Sequence, residues 1–196
     1  LKDAIVSIGG CTGSIVSDNG LLITNHHCGF GYIQSHSTPE EDYIKEGYWA
    51  QSQAEELPNP GMIARFLVRI EDVTDRVNEM VATAADEAER QQMVRMAGEQ
   101  LVAEATEGTH YDGEVSEMYY GGAYYLFVYE TYKDVRLVGA PPKMIGYFGG
   151  DTDNWMFPRH AGDFSFFRVY TGPDGKPAPY SEDNIPLKPK RHLEID

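Results

Sequence analysis

Residues 11–28 read CTGSIVSDNGLLITNHHC, a stretch that predicts two neighbouring strands and the segment that follows them. Two apolar runs, at 14–17 and 21–24, flank Asp18-Asn19-Gly20. Because Asn-Gly tolerates positive φ at both positions, this spacing predicts a tight β-hairpin.

The second predicted strand continues directly into Asn25-His26-His27-Cys28. A histidine just past a strand end is restrained when a cysteine lies beside it and a second cysteine, Cys11, lies on the partner strand. A restrained imidazole that titrates near neutral pH suits a general base. The alternative is a structural hairpin whose histidines are ordinary polar loop residues.

A second dense stretch, residues 148–167, reads FGGDTDNWMFPRHAGDFSFF. Asp163 stands at the head of an apolar run that predicts a strand over 163–170, and burial by that strand suits a carboxylate that orients an imidazole. Asp151 and Asp153 are rivals for this role. Their Gly-Gly-Asp-x-Asp loop is also compatible with capping a helix or binding a cation.

Asn154 and Trp155 lie in the same loop. An exposed tryptophan with an amide beside it can grip a small charged or polar group. The alternative is a tryptophan that plugs the base of a barrel.

Composition excludes several partners. The net charge of −15 over 196 residues argues against a nucleic-acid partner, because phosphate binding needs clustered Lys and Arg. No apolar run approaches the ~20 residues that a membrane span needs.

Two cysteines placed to pair favour an oxidising compartment. Since Leu1-Lys2-Asp3 leads at once into a strand-like run, we expect the chain to be a piece of a longer protein.

The remaining pattern predicts a mainly β fold with a helical insertion at about 72–106, closed most simply as one β-barrel. A break at 83–86 would divide the insertion into two helices. A turn is expected at 29–32, and a capping box at Thr38–Glu41 predicts a short helix that includes Tyr48 and Trp49. Further strands are predicted at 4–8, 62–70, 114–120, 124–131 and 135–138.

Residues 11–28 resemble the active-site histidine segment of chymotrypsin-like serine proteases. A more specific resemblance is to the bacterial dipeptidyl-peptidase 7/11 family of serine exopeptidases. It rests on the helical insertion and on two motifs, TNHHCGFG at 24–31 and GYFGGDTDNWMFPRHAGDFSFFRVY at 146–170. That family has a chymotrypsin-like double β-barrel with a large helical domain added. The resemblance implies that residues 1–196 are the N-terminal part of the catalytic domain, the first barrel, without the second barrel or the main helical domain.

Carried over by position, the resemblance makes His27 the catalytic base and Asp163 its orienting carboxylate. Asn154 and Trp155 match the residues that hold the α-amino group of the substrate. Cys11 and Cys28 match a bridged pair.

The family's nucleophile lies in a Gly-Asn-Ser-Gly-Ser-Pro type turn, which does not occur in this sequence. Neither Ser14 nor Ser165 fits such a turn, so we expect the chain to be inactive alone. The resemblance implies oligopeptide substrates with free N-termini, no metal or organic cofactor, a homodimeric full-length protein and a periplasmic or secreted location. Acidic and hydrophobic preferences at the cleaved position both stay open.

Two other functions remain possible from the residues. Cys11, His26, His27 and Cys28 are ligand types for a metal such as zinc, although adjacent ligands rarely converge on one tetrahedral ion. A non-catalytic peptide-binding module derived from a protease would instead use the loop around Asn154 and Trp155 to bind its peptide.

Overall fold

The computed structural model describes residues 4–146 and 161–189. These residues form two compact units. The first contains residues 4–64, 132–146 and 161–189, and the second is Arg65–Thr131.

The described strands, in chain order, are β1 Ile5–Ile8, β2 Cys11–Ile15, β3 Leu21–Thr24, β4 Tyr48–Trp49, β5 Leu57–Pro58, β6 Ala64–Asp72, β7 Asp112–Met118, β8 Ala123–Tyr132, β9 Asp134–Ala140, β10 Ser165–Thr171 and β11 Ile185–Pro186. The helices are α1 His26–His36, α2 Tyr43–Glu46, α3 Thr74–Val81, α4 Glu87–Thr106 and α5 Lys143–Gly146. Every strand predicted from the sequence is present, with ends shifted by a few residues.

The first unit is an antiparallel sheet in the order β4-β9-β10-β3-β2-β1. β5 also pairs with β9, and β11 pairs with β10. Alternate apolar side chains of these strands form the core, because successive strand residues point to opposite faces. Its fully buried members include Val6, Leu22, Leu137, Phe167 and Val169.

The hairpin of β2 and β3 is present, but its turn differs from the prediction. The loop has four residues, 17–20, closed by the Val16 N–H, which donates to the Leu21 carbonyl at 2.8 Å. Within the loop only Gly20 has positive φ, at 72°. A Cβ on Gly20 would lie 2.6 Å from the Val169 carbonyl oxygen, so close packing as well as backbone conformation requires glycine there.

The turn predicted at 29–32 is wrong, since helix α1 continues through these residues to His36. Glycine in a helix costs roughly 1 kcal/mol relative to alanine, and tertiary packing overrides that preference here. Gly29 is buried, and a Cβ on it would lie 2.7 Å from Ser165 Oγ. Ile33 is fully buried on the same helix.

The helix predicted from the capping box at Thr38–Glu41 is also wrong in extent. Thr38 Oγ1 accepts from the Glu41 N–H at 3.0 Å, yet no helix begins there. Asp42 caps α2, which ends before Gly47, at φ 77°. Tyr48 and Trp49 then form β4 against β9, because an open sheet edge offers their backbone hydrogen bonds.

The second unit packs two helices on one face of the strands β6-β8-β7. The predicted helical insertion is confirmed, as α3 and α4 separated by a break at 82–86. Asp86 caps α4 by accepting from the Glu89 N–H at 2.9 Å. The core of this unit contains Val73, Val77, Val81, Leu101, Tyr124, Leu126 and Val128.

The mainly β fold with a helical insertion is therefore confirmed. Closure into a chymotrypsin-like barrel, and a second barrel beyond this chain, stay predictions. Among the described helices, none is long and apolar enough to cross a membrane.

Candidate active site

The candidate site lies where β3 passes into α1, beside the beginning of β10. These two strands pair antiparallel, with Thr24 opposite Ser165. In such a pair, the residues after Thr24 run alongside the residues before Ser165. The hairpin and β10 together bring His27 next to Asp163.

His27 and Asp163 are joined by two hydrogen bonds. The ring Nδ1 of His27 lies 2.9 Å from Asp163 Oδ2, and the backbone N–H of His27 donates to Asp163 Oδ1 at 3.1 Å. The His27 side chain is 62% exposed, against 33% for Asp163. The carboxylate is thus held by the histidine at both oxygens while the ring stays open to solvent.

Asp163 is held in its ionised form. Burial alone would raise the pKa of its carboxyl, but hydrogen bonds from the His27 backbone and ring and from Asn25 outweigh burial and leave the pKa below its ordinary value. An ionised carboxylate only accepts hydrogen bonds, so Nδ1 of His27 carries the ring proton. In the neutral ring, Nε2 is then free to accept a proton.

Asn25 belongs to this site, although the sequence reasoning did not single it out. Its Nδ2 donates to Asp163 Oδ2 at 3.1 Å and is 3.3 Å from the Asp163 carbonyl oxygen. The available signal was its position, between a predicted strand end and the histidine pair. An amide there can reach whatever carboxylate faces the histidine.

His26 has a different environment from His27. It is buried, with 2% exposure, and its Nε2 lies 3.1 Å from the Pro141 carbonyl oxygen. Burial lowers the pKa of His26, although the Pro141 hydrogen bond and the charge of Asp163 oppose this shift. A Cβ on Gly146 would lie 2.4 Å from its ring, so α5 packs directly on it. His26 is a packing residue.

Cys11 and Cys28 form a disulfide with an S–S distance of 2.07 Å. The bridge joins β2 to the first turn of α1, one residue after His27. The metal-site hypothesis is therefore wrong for these residues. The two sulfurs and a ring nitrogen of His27 lie within 4.8 Å of one another, but sulfurs bonded to each other are not thiolate ligands, and the ring of His26 faces Pro141.

The two serines set aside from the sequence do not resemble nucleophiles. Ser165 is fully buried, and its Oγ donates to the Asn25 carbonyl at 3.0 Å. Ser14 lies within strand β2. The substrate-binding candidates Asn154 and Trp155, and the rival carboxylates Asp151 and Asp153, lie outside the described residues.

A surface pocket of about 620 Å³ is found elsewhere in the first unit. Its lining includes Tyr48, Glu56, Arg136 and Tyr180, but neither His27 nor Asp163. It is separate from the candidate site.

His27 lies beside the disulfide-bonded Cys28 and is hydrogen-bonded to Asp163. This arrangement has the geometry of the base and orienting carboxylate of a peptidase. The Peptidase S46 family model matches residues 1–196, and the chain belongs to this family.

Its relatives are dipeptidyl-peptidases. Dipeptidyl-peptidase 7 of Capnocytophaga gingivalis is 53% identical over all 196 residues, and the Asp/Glu-specific dipeptidyl-peptidase of the same organism is 50% identical. The crystal structure of Porphyromonas endodontalis DPP11 in complex with the dipeptide Arg-Asp superposes with a TM-score of 0.90 at 44% identity. The chain spans 27% and 28% of the two relatives and 29% of the DPP11 chain.

Proposed function

We propose that this chain supplies the general base, His27, and its orienting carboxylate, Asp163, to a serine-type dipeptidyl-peptidase. The enzyme would release dipeptides from the free N-termini of oligopeptides. The contact between His27 Nδ1 and Asp163 Oδ2, in a chain of the Peptidase S46 family, is the observation that carries the proposal.

The site's chemistry follows from its proton positions. With the ring proton on Nδ1, His27 Nε2 takes the proton of a serine hydroxyl as its oxygen attacks the substrate carbonyl carbon. Asp163 stabilises the imidazolium, which then gives its proton to the leaving amine. Water repeats the sequence on the acyl-enzyme and frees the dipeptide. The serine and the oxyanion hole would come from the part of the protein beyond this chain.

Recognition of the free N-terminus is assigned to Asn154 and Trp155. An amide oxygen and an aromatic face both interact favourably with an ammonium group. Holding the ammonium at a fixed distance from the catalytic serine would limit cleavage to the second peptide bond. The substrates are therefore oligopeptides with an unblocked N-terminus.

Overall sequence similarity in this segment does not indicate which amino acid the enzyme prefers at the cleaved position. Dipeptidyl-peptidase 7 and the Asp/Glu-specific dipeptidyl-peptidase of one organism are 53% and 50% identical to this segment, so it resembles a relative named as Asp/Glu-specific about as closely as one that is not. We assign the preference to residues beyond this chain. A location in the periplasm or outside the cell fits the disulfide, because disulfides persist in oxidising compartments. The homodimeric state of the full-length protein rests on the family resemblance alone.

The test compares two substrates of the full-length protein, a dipeptide conjugated to a fluorophore and its N-acetylated twin, with His27→Ala as the inactive control. Acidic and hydrophobic conjugates are both used. We expect release from the free form alone, and none in the variant. Equal release from both forms would contradict the exopeptidase assignment. No release from any conjugate would favour a non-catalytic peptide-binding module.

A further inference from the structure

Asn25 stands at the N-cap of α1, but its side chain does not cap the helix. An N-cap asparagine usually accepts a hydrogen bond from the first free N–H groups of its own helix. Here the His27 N–H is instead satisfied by Asp163 Oδ1 at 3.1 Å. The aspartate from before β10 has taken over the capping role.

The released Asn25 amide turns to the same aspartate. Its Nδ2 donates to Asp163 Oδ2 at 3.1 Å and lies 3.3 Å from the Asp163 carbonyl oxygen. Both neighbours are acceptors only, so the NH₂ end of the amide must face them. Oδ2 then has two donors, His27 Nδ1 and Asn25 Nδ2, and the carboxylate has three in all.

The backbone of Asn25 is fixed as well. Its carbonyl accepts from Ser165 Oγ at 3.0 Å, and Ser165 is fully buried in β10. Ser165 and Asp163 belong to one segment, so Asn25 is held by that segment at its backbone and holds it with its side chain. These two attachments restrict where the exposed Asn25 amide can lie and keep it against Asp163.

We propose that Asn25 is a positioning residue of the peptidase site, an inference that rests on the proposed function. Its amide occupies a lone pair of Oδ2 that water would otherwise take. This fixes the plane of the carboxylate against the His27 ring and favours its ionised form. Asn25 acts through Asp163 and touches neither the serine nor the substrate.

The test uses the full-length protein with Asn25→Ala and the isosteric Asn25→Asp. Loss of a hydrogen bond to a charged group predicts a fall in kcat of about tenfold for Asn25→Ala, with KM changed less than about twofold. For Asn25→Asp we expect a fall of about 100-fold at pH 8, because an acceptor and a negative charge then face Asp163. Asn78→Asp, the same charge change on an exposed position of α3, is the matched control and should retain full activity.

The pH dependence separates this role from a merely structural one. Asp163 faces position 25 through its hydrogen bond, and the titratable groups that interact with Asp163 are His27, which contacts it, and the buried His26. As the pH falls towards 5.5, a proton shared between the introduced carboxyl and Asp163 restores a donor, so the activity of Asn25→Asp relative to the wild type should rise. A structural defect would give a constant ratio.

Four outcomes decide the inference. A kcat effect with a rising ratio supports it. Wild-type activity in both variants, or a constant ratio with a lowered melting temperature, overturns it. If the wild-type protein releases no dipeptide while its Asn25 variants fold normally, the proposed function has failed and this inference falls with it.

Discussion

His26 and His27 are neighbours in the chain, but α1 sends their side chains to different environments. Successive helical residues are rotated by about 100°, so adjacent side chains cannot share a face. His26 points into the core against Pro141, and His27 points towards Asp163 and solvent. The same imidazole is therefore structural at one position and a candidate base at the next.

The buried His26 predicts a pH-dependent loss of stability. Its folded pKa lies below the ordinary value of 6.5. The neutral ring therefore stabilises the fold fully above pH 6.5, and this contribution is lost as the pH falls from 6.5 through the lowered folded pKa. His26→Asn keeps a donor for the Pro141 carbonyl but does not titrate.

Urea unfolding of the full-length protein between pH 8 and 5 provides the measurement. We expect the wild type to lose more stability than His26→Asn over this range, by roughly 1 kcal/mol for each unit of pKa shift. Parallel stability profiles for the two proteins would contradict the account.

At the scale of elements, the sequence predicted what periodicity and turn residues encode. The richness of residues 124–131 in Tyr, Phe and Val was sufficient to locate β8, and the predicted break at 83–86 was sufficient to separate α3 from α4. Helix α1 and strand β4 were missed because their causes are tertiary. Gly29 is tolerated in a helix by its contact with Ser165, and Trp49 becomes a strand residue because β9 offers an edge.

The candidate site shows the same division. Motif resemblance was sufficient to propose His27 and Asp163, and the structure brings them together. Asn25 was missed because its proposed role depends on a long-range contact. Asp163 caps helix α1, although the two are far apart in the sequence. No local pattern encodes that contact.

The turn between β7 and β8 carries backbone strain. Tyr119 and Tyr120 have φ of 54° and 56°, a region that costs residues with a Cβ roughly 1–2 kcal/mol. Both side chains are exposed, at 80% and 106%. Tyr120→Asn should therefore stabilise the protein by about 0.5–1 kcal/mol, because asparagine tolerates this conformation.

The stability change is measured by chemical unfolding. Tyr180→Asn, also exposed but with no positive φ, is the control and should give no gain. A destabilised Tyr120→Asn would show that the ring makes contacts worth more than the strain.

A buried ion pair connects strand β10 with the loop that precedes β5. Glu56 and Arg168 are 6% and 8% exposed, with Oε1 and Nε 2.8 Å apart. The Tyr170 hydroxyl donates to Glu56 Oε2 at 2.7 Å. The pKa of Tyr170 is raised, chiefly by burial and also by this hydrogen bond. Arg168 also donates to Asn19, so the pair links the hairpin loop to the sheet.

Removing one partner should cost more than removing both. Glu56→Leu leaves a buried, uncompensated guanidinium and should destabilise the protein by about 3–5 kcal/mol. The double variant Glu56→Leu with Arg168→Met should recover much of that loss. Equal unfolding free energies for the single and double variants would contradict the assignment of a mutually dependent pair.

For the whole molecule, we propose that this chain holds two of the three catalytic groups of a serine peptidase, His27 and Asp163. It spans 27% of the dipeptidyl-peptidase 7 relative from C. gingivalis. Ser14 and Ser165, the two serines considered from the sequence, lie in strands. The disulfide, the hairpin and β10 fix His27 and Asp163 before any nucleophile is supplied. We propose that this positioned base acts on a serine elsewhere in the protein.

Labelling the full-length protein with a fluorophosphonate, followed by peptide mapping, tests whether His27 activates such a serine. We expect one adduct, on a serine beyond residue 196, with the labelling rate reduced by about 10³-fold or more in His27→Ala. Labelling that is unaffected by His27→Ala, or an adduct on Ser14 or Ser165, would contradict the account.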